Sequence, residues 1–312
     1  MTSHRPESIA DLAALLRDAE SRSAAGASVA PFRLHAADSW AAAARLGDKG
    51  SAHALDLSHF GGVHAYTPDD LTISVGAAMT IAELDAITGA HGQWCPLQPW
   101  GDDRGTVGAT IATATTGPFA AALGRPRDLV LGLECVDGRG RVIRAGGSVV
   151  KNVAGFDLTR LMTGAWGTLG AITALHLRLR SRPVVDESLV LAGSPENDAR
   201  VEEIARGPYA PLALVRVTPK LREALKLSED ARWLLRLGGN VAFVAASKAA
   251  YAALGDHTAL PESAWRTVRA RGAPPELDAR TSTWRWDALS RRIKRQFDPA
   301  DLLNRGSLGS LA

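Results

Sequence analysis

The sequence is poor in cysteine, in long apolar runs and in unbalanced charge, and each shortage closes a class of function. Cys95 and Cys135 are the two cysteines among 312 residues. They cannot build a disulfide framework or a cysteine-based structural zinc site, so free thiols in a reducing compartment are expected. No stretch approaches the ~18 consecutive apolar residues of a membrane-spanning helix. The opening MTSHRPES has no basic-then-apolar signal pattern. A cytoplasmic protein is expected, associated with a membrane only through partners. The formal net charge is +3, with 36 Lys and Arg spread along the chain against 33 Asp and Glu. That balance argues against a nucleic-acid partner. The densest basic run, RRIKRQF at 291–297, reads as a solvated helix face.

Two phosphate-binding patterns are also missing. No glycine-rich string ends in lysine followed by Ser or Thr, which excludes a P-loop. The nearest relative of G-x-G-x-x-G, GRGRVI at 138–143, lacks its third glycine and sits in a hairpin, which excludes a Rossmann dinucleotide fingerprint. His53, His59 and His64 fall in a strand-and-loop stretch without a carboxylate at ligand spacing, so no metal site is expected. Trp284 and Trp286 in STWRWDAL read as a packed strand face.

What the chain does have is alternation of short strands and helices. Ser8 followed by Asp11 predicts a capped helix with Ile9, Leu12, Leu15 and Leu16 on one face. LTISV at 71–75 predicts a strand ending at Gly76, and Thr80 with Glu83 forms the capping box of the next helix. LVLGLECV and RVIRA around DGRG predict a β-hairpin. Asp157 is a candidate cap for a helix whose Leu158, Leu161, Met162 and Ala165 share a face, and AITALHLRLR at 171–180 alternates as a half-buried strand. After Pro183 the pattern restarts as a smaller α+β unit, from ESLVLAG through the alanine-rich VAFVAASKAAYAAL to a basic helix and FDPADLLNRGSLGSLA.

Glycine is concentrated where function is sought. GTVGATIATATTGP (105–118) and GAWGTLGAIT (164–173) leave backbone bare, and runs of Gly, Ala and Thr let peptide N–H groups face an anion or an extended ligand, or else allow tight packing. Together with PFRLHAADS (31–39), LTISVGAAMTIAEL (71–84), GRPRDLVLGLECVDGRGRVIRAGG (124–147), VVKNVAGFDLTRLMTGAWGTLGAIT (149–173) and FDPADLLNRGSL (297–308), they carry a resemblance. The chain resembles the FAD-binding domain of the vanillyl-alcohol-oxidase (PCMH) type, and within it the FAD-binding subunits of glycolate oxidase. The likeness is close over 30–180 and general in layout over 184–290.

The resemblance implies an α+β, two-subdomain PCMH-type fold over residues 1–182. It also implies a smaller α+β cap-like domain over 183–312, whose last segment packs back on the FAD domain. It places Gly105, Thr106, Val107, Gly108, Thr110, Thr116 and Gly117 along the pyrophosphate and flavin, with Gly170, Ala171 and Ile172 on the other side and Ser39 in the first phosphate loop. Lys151, with Asn152, reads equally as a contact to the flavin edge or substrate carboxylate and as a capped turn. The family's paired glycine and Asn-Ser are here Ala36, Ala37, Asp38 and Ser39, and a further family glycine is Ala109.

The implied function is that of an FAD-binding accessory subunit in a glycolate oxidase-like 2-hydroxy-acid dehydrogenase complex, as electron relay or structural clamp. A catalytic flavin subunit and an iron–sulfur subunit are the implied partners. No catalytic residue can be assigned, since His257 is the sole histidine after His176. Two alternatives stay open: a stand-alone FAD-dependent oxidoreductase, and a cofactor-free scaffold, which the altered first loop favours.

Overall fold

The computed structural model describes residues 2–37, 52–101, 104–147, 157–271 and 286–307. The first unit holds β1 (Ser3–His4), α1 (Ile9–Ala24), β2 (Phe32–His35) and β3 (His53–Asp56), with the three strands parallel in the order β1-β3-β2. The Ser8 hydroxyl accepts the Asp11 N–H and starts α1, which buries Leu12, Ala13, Leu16 and Ala19. That stripe meets Phe32, Leu55 and Leu57, but also Val136 and Ala171 of the second unit and Leu302 and Leu303 from the far end of the described chain. A single apolar core therefore joins three parts of the sequence.

The second unit comprises β4 (Val63–Thr67), β5 (Thr72–Gly76), α2 (Ile81–Gly89), β6 (Gln93–Trp94), α3 (Val107–Thr113), α4 (Ala120–Leu123), α5 (Pro126–Leu129), β7 (Val130–Asp137), β8 (Val142–Gly146), α6 (Leu158–Met162), β9 (Gly170–Arg178) and β10 (Arg180–Ser181). Its main sheet is antiparallel in the order β4-β5-β9-β7-β8, while β10 pairs with β6. The expected capping box forms at α2, where Thr80 accepts the Glu83 N–H and the Glu83 carboxylate accepts the Thr80 N–H. Alternation in β9 puts Leu175 and Leu177 into the core with Ile73, Val75 and Leu133, and Val107 and Ile111 of α3 seal it.

The third unit is a four-stranded antiparallel sheet, β12-β13-β11-β14, drawn from β11 (Val185–Ala192), β12 (Ala213–Arg216), β13 (Ala231–Gly239) and β14 (His257–Leu260). Helices α7 (Asp198–Arg206), α8 (Pro219–Leu225), α9 (Val241–Ala252) and α10 (Ala264–Arg271) accompany it. One face buries Leu189, Leu191, Leu235 and Leu237 with Val201 and Val244; the other buries Val190, Leu234 and Trp265 together with Trp94 and Phe119 of the second unit. Finally α11 (Ala288–Phe297) returns the chain to the first unit, where Leu303 bridges Phe32 in parallel. The architecture is α+β, as expected.

The basic run at 291–297 does form a helix, but it is not a wholly solvated face. Lys294 is 1% exposed, and its ammonium is neutralised by Asp298 and Asp301 and donates to two carbonyls. A buried charge is tolerable only with such partners, and those partners lie beyond the window that gave the helical pattern.

Candidate cofactor site

The site grows from α3, a helix of small residues in a stretch that reads in sequence as bare peptide. Thr106 starts it: the hydroxyl accepts the Ala109 N–H at 3.2 Å. Threonines 110 and 113 return their hydroxyls to the carbonyls of Thr106 and Ala109, so the helix leaves few polar atoms unsatisfied. The Val107 and Gly108 N–H groups donate to Met79 and Ala77, each at 2.8 Å, and Ile81 N–H donates to Gly105. These bonds lay α3 along residues 77–81. At Gly108 an added Cβ would come 2.6 Å from the Ala77 Cβ, and at Gly117 it would overlap the Gln98 carbonyl. Both glycines therefore allow protein to approach protein, which explains the tight packing but not yet a ligand.

The second glycine-rich stretch lies directly against the first. Gly164 N–H donates to Ile111 at 3.0 Å and Trp166 N–H to Ala112 at 2.8 Å. Residues 105–117 and 164–172 are thus edges of one joined surface. Gly170, Ala171 and Ile172 open β9 opposite Asp137, Val136 and Cys135 of β7. The side chains of Ala171 and Ile172 are buried in core, which leaves only backbone to offer a ligand. Thr116 accepts the Trp100 N–H, beside Gly117. Ser39, Lys151 and Asn152 lie outside the described residues, as does Asp38.

A wall from the first unit continues this surface. His35 and Asp56 end the parallel strands β2 and β3, and Leu57 N–H donates to His35. The turn that follows meets the second unit, with Ala78 N–H on Phe60 and Gly76 N–H on Gly62. Ser58 follows the carboxyl end of β3, where its N–H donates to the Asp56 carboxylate at 2.9 Å and its hydroxyl also faces that carboxylate. The carboxyl ends of parallel strands are where open α/β sheets receive ligands. Gly, Ala, Ser and Thr dominate this wall, which suits close approach of an extended cofactor, although the Val107 and Gly108 N–H groups and the Thr106, Thr110 and Thr113 hydroxyls are already bonded within the protein. Among the described residues no group of three His, Cys, Asp or Glu could hold a metal ion, and no helix is long and apolar enough to cross a membrane.

The sequence reading missed two residues, Lys294 and Asn304, that hold the 164–168 turn. Neither carries a local signal: Lys294 lies inside the basic run RRIKRQF, and Asn304 acts on residues far away in sequence.

Comparison with known proteins agrees with this geometry. Residues 4–146 match the FAD binding domain family. The chain is 32% identical over 196 residues to glycolate oxidase subunit GlcE of Escherichia coli (strain K12), covering 62% of this chain and 53% of that protein. It is 34% identical over 172 residues to a D-lactate dehydrogenase of Archaeoglobus fulgidus, covering 54% of this chain and 38% of that one. The matched part spans about half the length of these relatives or less. A solved structure of alkyldihydroxyacetonephosphate synthase superposes with a TM-score of 0.67 over 90% of this chain and 55% of that chain, at 14% identity, a likeness of fold alone. The match to the FAD binding domain family thus takes in the first unit and most of the second, a little under half of the chain.

Proposed function

We propose that the protein is the FAD-binding accessory subunit of a glycolate oxidase-like 2-hydroxy-acid dehydrogenase complex. The observation that carries the reading is the joined wall made by residues 76–79, α3 and the 164–172 segment, set at the carboxyl ends of β2 and β3 within a domain of the FAD-binding family. On this reading Gly105, Thr106, Val107, Gly108, Thr110, Thr116 and Gly117 pass along the pyrophosphate and flavin, and Gly170, Ala171 and Ile172 offer backbone from β9. Ser39 and Lys151 supply polar contacts. Bound FAD supplies a two-electron acceptor. The protein's own part is to orient it and to screen one face from water.

Residues 183–312 form a cap-like domain in this reading, and among its described residues several cations are already paired, which favours an accessory role. Arg236 is held by Asp186 and Glu262, Arg216 and Arg232 by Asp198, and Lys248 by Glu187. Cations already neutralised by the protein's own carboxylates have little to offer a substrate carboxylate. The substrate site then belongs to a catalytic flavin subunit, and an iron–sulfur subunit carries electrons onward. The similarity to a D-lactate dehydrogenase favours one rival, a stand-alone oxidoreductase. The test is the absorbance spectrum of the purified chain, followed by turnover of a panel of 2-hydroxy acids with an artificial acceptor and by capture of co-expressed subunits. Flavin bands without turnover, and capture of two companions, support the accessory reading; turnover by the isolated chain supports the rival. A folded chain that stays colourless with added FAD overturns both.

A further inference from the structure

Asn304 stands 270 residues from Leu34 in sequence, yet it is bonded to it. Its Oδ1 accepts the Leu34 N–H at 2.8 Å, its Nδ2 donates to the Trp166 carbonyl at 2.8 Å, and its own N–H donates to Phe32 at 2.9 Å. Both groups of one amide are thereby used on two different walls: β2, which leads to the first loop of the site, and the glycine-rich turn before β9. The backbone is arranged for this contact. Asn304 has φ +43° and Trp166 φ +53°, left-handed conformations that asparagine tolerates and tryptophan rarely adopts.

Gly167, at φ +67°, completes the arrangement. A Cβ there would come 2.7 Å from the Asn304 Nδ2. The glycine's place is thus set by the asparagine amide. Lys294 holds the same turn one step further on, donating to the Thr168 carbonyl at 2.8 Å and to Leu303 while paired with Asp298 and Asp301. On its other side the turn hangs from α3 through Gly164 and Trp166. Apart from bonds within the turn and from Ala165 N–H to Met162 of α6, residues 164–168 are held by α3 and by the 294–304 segment.

We propose that Asn304 is a positioning residue for the cofactor site, fixing the spacing between β2 and the 164–168 turn so that FAD meets both walls at once. The inference rests on the FAD-binding reading above. Without the amide, β2 and the turn are joined only indirectly, through the backbone bonds of Phe32 to 302–304 and through Lys294, and FAD must restore their spacing from its own binding energy.

The test uses the full chain with Asn304→Gly, which keeps the left-handed backbone but removes both side-chain bonds, and Asn304→Asp, which keeps only the acceptor for Leu34. Leu237→Ala, in the separate core that the four-stranded sheet makes with Val201 and Val244, serves as a control destabilised to at least the same degree. FAD dissociation constants are read by fluorescence quenching, and the fine structure of the bound flavin band by absorbance and circular dichroism. The expected result is a dissociation constant raised about tenfold, the equivalent of one net hydrogen bond, and an altered flavin band in both Asn304 variants, with the control unchanged in both. Unchanged affinity and spectrum in the variants overturn the proposal while leaving FAD binding intact. Equal changes in the control reduce Asn304 to a structural residue and overturn it as well. Absence of FAD binding in the unaltered chain overturns the underlying reading, a separate result.

Discussion

At the residue scale the two thiols illustrate how environment decides reactivity. Cys95 and Cys135 are buried, and burial, with nearby carboxylates opposing the thiolate, pushes both up to about 12. Thiolate is the reactive form, so neither should be alkylated by iodoacetamide at pH 8 in the folded protein. Mass spectrometry should find both modified once urea is added. Thr106 offers a second check. Replacing it by alanine removes the α3 cap, and the expected cost is about 1 kcal/mol of stability in urea unfolding, with weaker FAD binding where α3 forms the wall. The sequence disclosed Ser8, Thr80 and Asp157 as caps because polar residues preceded clear apolar stripes. It hid Thr106, since α3 is built almost wholly of small residues and shows no such stripe. It hid Asn304 for another reason: a residue that acts by bridging positions far apart in sequence leaves no local pattern.

At the scale of elements, the joint between the four-stranded sheet and the flavin-binding half depends on Arg236. Its side chain is 6% exposed, bonded in bidentate fashion to Asp186 and also to Glu262, with its guanidinium over Trp94 at 5.8 Å and Phe119 at 5.3 Å. Arg182 ties the same region through Asp85 and Glu262. Arg236→Ala removes a buried, stacked cation while leaving Asp186 and Glu262 able to turn to water, and should cost about 2 kcal/mol in denaturant unfolding. Arg236→Lys should recover little of it, because an ammonium has neither the fork nor the flat face. The β7–β8 hairpin and the alternating β9 were legible because each carries its own period and turn chemistry. The two-residue strands β1, β6 and β10 were not, because a pair so short is selected by its neighbours rather than by its own sequence.

At the scale of the whole molecule, stability should depend on histidine protonation. Burial, then the neighbouring His53 at 3.2 Å, lowers the pKa of His4; burial, then His64, lowers that of His176, against a smaller opposing pull from Glu134. A depressed pKa means the unfolded chain takes up these protons first. The full contribution is therefore present above pH ~6.5, the ordinary histidine value, and is lost as pH falls below it. The melting temperature should decline from pH 7.5 to 5.5, and His4→Gln should flatten that decline. An invariant melting temperature over this range would count against the assignment.

The bridge from Phe32 to Leu303 has a consequence for biosynthesis. Strand β2 lies at the rim of the parallel sheet, and its exposed side is completed by residues 302–304. Leu34 and Asn304 are 270 residues apart, which at typical elongation speeds corresponds to roughly 15–55 s of translation. During that interval the nascent chain displays an unpaired strand margin, the kind of surface that invites pairing with another chain. The topology therefore places the closing of that margin, and of the wall it supports, after residues 302–304 have been made.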